Sequence, residues 1–218
     1  MRACGVRGSS GLYEKSAEAW DRVVLPRNRL WALENWRLAL LAIAAYHEAI
    51  LRAAEYGDPE IERLLKRQLA QSDLFFLLVY VLGRADLNRD WYFARCREVQ
   101  AAPNGYLDLW GREHGKSSLI TFGLTIQDIL NDPEITVGIF SYSRPIAKAF
   151  LRQIKVEFEN NETLKSLFPD ILWTNPQRDS PKFSEDDGII VRRKGNPKES
   201  TVEAWDLWTA RRSVSTSA

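Results

Sequence analysis

The residue types that could do chemistry are concentrated in one short run, Gly111 to Ser118 (GREHGKSS). The run ends in Gly-Lys-Ser where a helix is predicted to begin, and backbone N–H groups and the dipole at a helix start attract an anion. Lys116 adds a mobile positive charge for β- and γ-phosphates, and the hydroxyl of Ser117 is suited to coordinate Mg²⁺. The tripeptide alone is weak evidence, but it lies between a predicted strand and a predicted helix, where a phosphate-binding loop is found. The run therefore predicts a nucleotide-binding loop.

The loop departs from the full G-x-x-x-x-G-K-[ST] pattern at its first glycine. That pattern asks for glycine at the position of Trp110, whereas Gly111 lies one residue later. His114 is expected to be exposed and could contact a phosphate, although a loop position without a role is the simpler interpretation. The candidate nucleotide-binding residues of the loop are Gly111, Glu113, His114, Gly115, Lys116, Ser117 and Ser118.

The second half of the chain has the pattern of the elements that must hold such a loop. After a turn-rich break at 101–105, strand-like and helix-like segments alternate. Strand, helix, strand, helix at this spacing predicts a βαβ unit with a parallel sheet. The predicted strands run from Tyr106 to Trp110, Ile135 to Tyr142, Gly188 to Arg192 and Thr201 to Leu207, and the predicted helices from Lys116 to Leu130 and Pro145 to Glu159.

The first half is predicted to be helical, because apolar residues recur there at spacings of three and four. Asp58 can cap a helix whose first residue is Pro59. Further helices are predicted from Leu74 to Leu82 and from Asn88 to about Glu98. The predicted fold is α/β, a P-loop NTPase-like parallel sheet with flanking helices, preceded by an α-helical region. The predicted divisions are a helical region at 1–100, a partial P-loop domain at 101–207 and an irregular tail at 208–218.

The composition is that of a globular protein, with 45% hydrophobic residues among 218. Lys+Arg 30 against Asp+Glu 29 gives a net charge of +1, which excludes a global attraction to nucleic acid or membrane. Two cysteines and two histidines are too few for a disulfide framework or a tetrahedral zinc site. The apolar run from Leu74 to Leu82 is far shorter than the roughly 20 residues that span a bilayer. A cytoplasmic protein without membrane contact is therefore expected.

The loop and four further segments resemble one protein family. With Arg112 at the third residue before Gly-Lys-Ser, the loop is similar to the deviant Walker A motif of the large terminase subunit of tailed phages, the ATP-driven motor that pumps DNA into a procapsid. The similarity covers roughly 86–205 and leaves the first 85 residues unmatched. The other segments that resemble the ATPase domain of this family are Asn88 to Phe93, Ile135 to Ile146, Phe158 to Pro169 and Ser200 to Trp205.

The resemblance implies roles, ligands and partners. Arg112 would act in cis on the γ-phosphate as a catalytic residue, although a surface arginine at a loop tip is the alternative. Trp91 lies where the family contacts adenine, and aromatic core packing explains it equally well. The implied ligands are ATP and Mg²⁺. The implied partners are double-stranded viral DNA, the portal protein and the small terminase subunit, inside a bacterial host cell.

One element that hydrolysis requires is missing from the sequence pattern. A Walker B strand has four apolar residues ending in Asp, but the apolar run from Gly188 is followed by Arg192, and the run from Ile135 is followed by Ser141. The acidic run 185–187 is expected to form a solvated turn rather than a metal site. The tail after Trp205 loses periodicity. A frameshift in the coding DNA would explain this, because one extra G after a CTG codon for Leu207 would restore a reading frame that encodes a family-like continuation. The chain therefore resembles the front part of a motor ATPase.

Two other interpretations remain open. Another P-loop NTPase, such as a helicase-like ATPase or a nucleotide kinase, would use the same loop, but no arginine-rich lid of the kind a kinase needs is evident. A degenerate prophage remnant, or a helical interaction protein whose loop no longer turns over ATP, would show the same residues. The sequence does not separate motor from remnant.

Overall fold

The computed structural model describes residues 29–55, 58–102, 107, 110–111 and 114–206. Within these residues the chain has an α/β fold with one four-stranded mixed sheet. The described residues fall into two compact units. One unit comprises those of Met1–Leu65 and Arg84–Tyr106, and the other comprises those of Lys66–Gly83 and Leu107–Ala218.

The helices and strands in the described part of the chain are numbered in chain order. The α-helices are α1 (Arg29–Glu55), α2 (Pro59–Ser72), α3 (Leu74–Phe76), α4 (Asp90–Ala101), α5 (Thr125–Asn131), α6 (Arg144–Asn160), α7 (Glu162–Leu167) and α8 (Pro176–Asp179). π-helical turns at Leu77–Val81 and Ser118–Leu124 continue α3 and precede α5, and a 3₁₀ turn forms at Ala85–Leu87. The strands are β1 (Val137–Ser141), β2 (Phe183–Ser184), β3 (Gly188–Ile189) and β4 (Val202–Asp206).

The first unit is built on α1 and α4, which pack against each other. Tyr46 of α1 is buried, and its hydroxyl accepts a hydrogen bond from Arg97 of α4 at 3.4 Å. The start of α2 follows the predicted capping: Asp58 Oδ1 accepts the N–H of Glu60 at 2.9 Å, and Pro59 is the first helical residue. The start of α2 is thus explained by local sequence.

The apolar segment 74–82 belongs to the second unit. Asp73 caps α3 by accepting the N–H groups of Phe75 and Phe76 at 3.0 and 3.2 Å, and the five residues from Leu74 to Leu78 are fully buried. Two side-chain amides fasten the preceding turn of α2 to α5: Gln127 donates to the Ala70 carbonyl at 3.0 Å, and Gln71 donates to the Leu130 carbonyl at 2.8 Å. These contacts group 66–83 with 107–206, although the sequence pattern places them in the helical first half.

The sheet has the strand order β1-β4-β3-β2. β1 and β4 are parallel, in a register from Val137 opposite Val202 to Ser141 opposite Asp206. β2 and β3 form a short hairpin, and β3 is antiparallel to β4. The described sheet is therefore mixed, because the turn 185–187 reverses the chain between two strands of two residues each.

Helix α6 covers one face of the parallel pair. Its apolar side chains are buried together with Ile139, Val202 and Ala204 of the strands, whereas Phe140 and Trp205 on the other face are 57% and 36% exposed. The amphipathic pattern of α6 therefore has a definite structural partner in β1 and β4. The buried residues of α6 are Ala147, Leu151, Ile154 and Phe158.

Most predicted elements are confirmed within a few residues, including the helices at 74–82, 88–98, 116–130 and 145–159. The strand predicted from Tyr106 to Trp110 is mostly outside the described residues; Leu107 and Trp110 are described, and neither lies in a strand. The predicted tail 208–218 is also outside them. No helix in the described part of the chain is long and apolar enough to cross a membrane.

Candidate functional site

The chain enters the helix that follows the candidate loop through a left-handed residue. Gly115 has φ of 70°, a conformation that costs other residues about 1–2 kcal/mol. Residues 116–131 then form one helix, whose first backbone bond in the ladder is donated by Leu119 to the Gly115 carbonyl at 3.0 Å. The left-handed conformation of Gly115 thus changes the direction of the chain where the helix begins. The predicted helix start at Lys116 is confirmed.

The loop and this helix start enclose a concavity of about 380 Å³. This volume is within the range of roughly 300–1,000 Å³ that is typical of small-molecule sites. Six of the predicted nucleotide-binding residues therefore line the same space, together with Trp110. The lining residues are Trp110, Gly111, His114, Gly115, Lys116, Ser117 and Ser118.

The side chains of Lys116 and Ser117 supply the polar groups of the concavity. Both residues are half-buried. Among the described residues, no carboxylate forms an ion pair with Lys116. N–H groups in the first turn of a helix have no intrahelical acceptor. The concavity thus combines an ammonium group, a hydroxyl and a helix N-terminus, which are the groups that hold a magnesium-bound polyphosphate.

Gly111 and His114 are in close contact across the loop. A Cβ atom built on Gly111 would lie 3.0 Å from Nδ1 and 3.1 Å from Cε1 of His114, distances that a real side chain would not tolerate without a shift. The imidazole therefore lies directly against the backbone of Gly111. A side chain at Gly111 would require the imidazole to move by a few tenths of an ångström.

Three predicted site residues are not placed in this concavity. Arg112 and Glu113 lie outside the described residues, so their roles stay predictions. Trp91 is on α4 in the first unit, where its ring is half-buried and meets Tyr92 edge to face at 5.0 Å between centroids. Both interpretations of Trp91, aromatic core packing and a contact with adenine, stay predictions.

The acidic run 185–187 forms a turn, as predicted, and its side chains are paired. Arg152 donates two hydrogen bonds to Glu185, at 2.7 and 2.6 Å, and Lys148 forms a salt bridge with Asp186. These bonds hold the pKa of each carboxyl group below its ordinary value. The turn therefore fastens the β2–β3 hairpin to α6. Lys148 and Arg152 are four residues apart and therefore lie on the same face of the helix. This spacing was the sequence signal that could have predicted a cationic face that pairs with the acidic turn.

Sequence reasoning also missed Asp206. It is the last residue of β4 and lies opposite Ser141 at the carboxyl end of the parallel pair. Ligand sites of α/β sheets are found at this end of the strands. The sequence signal for Asp206 was an acidic residue at the end of a predicted strand. Glu203 interrupts the apolar pattern of that strand, which made the signal harder to recognise. In the part of the chain that the structure describes, no group of three or more His, Cys, Asp or Glu residues is arranged to hold a metal.

A second, smaller concavity of about 190 Å³ lies beside the start of α6. Its lining combines the cation Arg144 with acidic side chains and the exposed indole of Trp205. The indole Nε1 donates to Glu203 at 3.1 Å, so this corner is already internally hydrogen-bonded. The lining residues are Arg144, Asp186, Asp187, Glu203, Ala204 and Trp205.

Comparison with known proteins identifies no relative. No protein-family model matches the chain, and no curated protein or solved structure is significantly similar to it. The function of this chain is therefore inferred from the loop, the helix that follows it and the chemistry of their side chains.

Proposed function

We propose that the loop 111–118 binds Mg·ATP and that the chain is the N-terminal ATPase portion of a terminase-type motor for viral DNA packaging. The observation that carries the nucleotide site is the left-handed Gly115, which directs the start of the helix into the 380 Å³ concavity lined by Lys116 and Ser117. The residues fit the ligand, since an ammonium group, a hydroxyl and a helix start complement a magnesium-bound triphosphate.

Each group of the loop has a distinct task in this proposal. Lys116 holds the β- and γ-phosphates by charge, and the hydroxyl of Ser117 is a ligand for Mg²⁺. The magnesium-bound triphosphate supplies the bond that is broken when the motor works. Gly111, His114 and Ser118 line the same concavity and exclude part of the solvent. Glu113 and Trp91 are proposed contacts on the strength of the family resemblance.

The motor assignment rests on the terminase-like segments around the loop. In this proposal the partners are double-stranded viral DNA, the portal protein and the small terminase subunit. The sequence of the source DNA is a direct test: coding for a Walker B strand and an RNase H-like nuclease domain downstream supports the proposal. If no reading frame in the next few hundred bases encodes them, the motor assignment fails.

Nucleotide binding is tested by calorimetry with Mg·ATP. Lys116→Ala removes a charge-assisted contact worth roughly 1.5–3 kcal/mol, so Kd should rise about ten- to a hundredfold. Lys198→Ala is the matched control, because Lys198 is an exposed lysine outside the concavity. Equal affinity of wild type and Lys116→Ala would contradict the proposed site.

The proposed role of Arg112 requires a chain that extends through a Walker B strand. An arginine that reaches the γ-phosphate contributes mainly in the transition state, and such residues are worth on the order of 10³–10⁵ in kcat. Arg112→Ala should therefore abolish turnover and change the ATP Kd only a few-fold. Arg112→Lys should rescue poorly, because an ammonium lacks the planar fork of donors. Near-normal turnover in Arg112→Ala would make it a surface arginine.

A further inference from the structure

The face of the parallel strand pair that points away from α6 carries two exposed aromatic side chains. Phe140 of β1 and Trp205 of β4 lie opposite each other in the register of the sheet. A Cβ atom built on Gly138 would lie 2.7 Å from Cε2 of Phe140, so the phenyl ring lies over the backbone of Gly138. On the neighbouring strand, the indole of Trp205 reaches back to Glu203 through its Nε1 donor at 3.1 Å. The rings of Phe140 and Trp205 thus form an aromatic surface on the open face of the sheet.

The concavity of about 190 Å³ that adjoins the indole has more acidic than basic side chains. Its cation, Arg144, lies 3.8 Å from Asp186, and Lys148 pairs with the same carboxylate. In the part of the chain that the structure describes, neither Asp187 nor Glu203 forms an ion pair. Their carboxylates accept hydrogen bonds from neutral donors at 2.9–3.1 Å. Two negative charges beside the aromatic surface therefore have no counter-ion among the described residues.

An aromatic surface beside uncompensated carboxylates is complementary to a flat cation. A guanidinium group stacks on aromatic rings and donates in pairs to carboxylates, whereas an ammonium group is a compact and strongly hydrated charge. An anion such as a phosphate would meet two like charges here. The concavity is also smaller than the roughly 300–1,000 Å³ that is typical of small-molecule sites, so it suits one side chain of a protein better than a whole small molecule.

We propose that this surface docks a different protein through an arginine side chain, whose guanidinium group stacks on Trp205 and pairs with Glu203 and Asp187. Charge complementarity carries the choice of partner, because the carboxylates require a cation and the exposed rings favour a planar one. The inference goes beyond the proposed nucleotide site, since none of these residues lines the concavity at Lys116. The two proposals therefore stand or fall separately.

The experiment uses the indole N–H resonance of Trp205 in the full chain as the reporter. Trp205→Phe identifies this resonance among those of the eight tryptophans. The probe is the peptide acetyl-Gly-Arg-Gly-amide at millimolar concentration. It should shift the resonance to saturation and bind about three- to tenfold more tightly than the corresponding lysine peptide. The citrulline peptide, which has the same shape without the charge, should not shift it.

Glu203→Gln and Asp187→Asn each remove one negative charge and keep a carbonyl oxygen for the existing hydrogen bonds. Each variant should weaken binding of the arginine peptide at least threefold, and the other indole resonances report whether its fold is intact. Glu199→Gln is the matched control, because Glu199 is an exposed acid outside this concavity. Its affinity should equal that of wild type.

The inference is wrong if the arginine peptide leaves the Trp205 resonance unchanged, or if the citrulline peptide binds equally well. It is also wrong if Glu199→Gln weakens binding as much as Glu203→Gln does. Sedimentation tests the remaining occupant, a second copy of this chain. A wild-type dimer that Glu203→Gln dissociates would show that the chain covers this surface itself, and the proposed docking of a different protein would fail.

Discussion

Arg67 and Asp170 are 103 residues apart in the chain, and the guanidinium group of Arg67 pairs with the carboxylate of Asp170. The same guanidinium lies 4.7 Å from the ring centroid of the buried Phe168 and donates to the Leu167 carbonyl at 3.1 Å. The side chain of Arg67 thus connects α2 to the end of α7 and to the segment that follows it. Arg67 combines packing, a backbone hydrogen bond and an ion pair.

Replacement of Arg67 should destabilise the second unit. Arg67→Ala removes the ring contact and the hydrogen bond to a backbone carbonyl, so the free energy of unfolding should fall by about 1–2 kcal/mol. Asp170→Asn should have a smaller effect, because the carboxylate is largely exposed and surface ion pairs contribute little. Urea unfolding measures both. An equal loss for the two variants would assign the stabilisation to the ion pair alone.

The hairpin turn should make stability depend on pH in the acid range. Arg152 lowers the pKa of Glu185 from its ordinary value of 4.5 in the folded state. A depressed pKa gives stability that is present above the unfolded-state value and is lost as pH falls through the folded-state value. Glu185→Gln should therefore be less stable than wild type at pH 7, and the two should converge near pH 3 in urea unfolding.

Glu199→Gln is the control for this pH effect. Glu199 is an exposed acid in the segment before β4, and its side chain has no ion pair among the described residues. Its substitution should leave the difference from wild type small at both pH values. A constant gap between wild type and Glu185→Gln from pH 7 to pH 3 would show that the carboxylate acts by packing rather than by charge.

Two glycines with the same backbone conformation separate strain from ligand binding. Gly115 has φ of 70° and Gly83 has φ of 67°, and a Cβ on Gly83 would meet no atom within 4 Å. Alanine at either position should cost about 1–2 kcal/mol of stability because of the left-handed conformation. Only Gly115→Ala should also weaken Mg·ATP binding, by several-fold in calorimetry. Equal ATP affinity of both variants would remove Gly115 from the site.

This chain should bind Mg·ATP and hydrolyse it little above background. Positioning and metal stabilisation supply most of phosphoryl-transfer catalysis, and the sequence pattern shows no Walker B strand whose terminal acid would contribute to them. Phosphate release over hours measures it. Sustained turnover that Lys116→Ala abolishes would reveal an acid that sequence reasoning missed. Asp206 is then the first candidate, because it ends β4, whereas Glu185 and Asp186 pair with α6. Asp206→Asn and Asp186→Asn would separate these two possibilities.

The sequence determined what depends on neighbouring residues. Asp58 and Pro59 set the start of α2, and Pro145 marks the first turn of α6. Gly-Lys-Ser placed a helix start at Lys116, and the candidate phosphate-binding residues followed from it. These features could be predicted because caps, prolines and helical periodicity act within one or two turns of the chain.

Only the tertiary structure decided what depends on distant residues. It assigned 66–83 to the second unit, where Leu74 to Leu78 are fully buried. The burial of apolar side chains stabilises this placement, although these residues adjoin the helical first half in the sequence. It made the sheet mixed, because β4 pairs in parallel with β1 on one edge and antiparallel with β3 on the other. It placed the imidazole of His114 against Gly111, a contact that no local sequence pattern specifies.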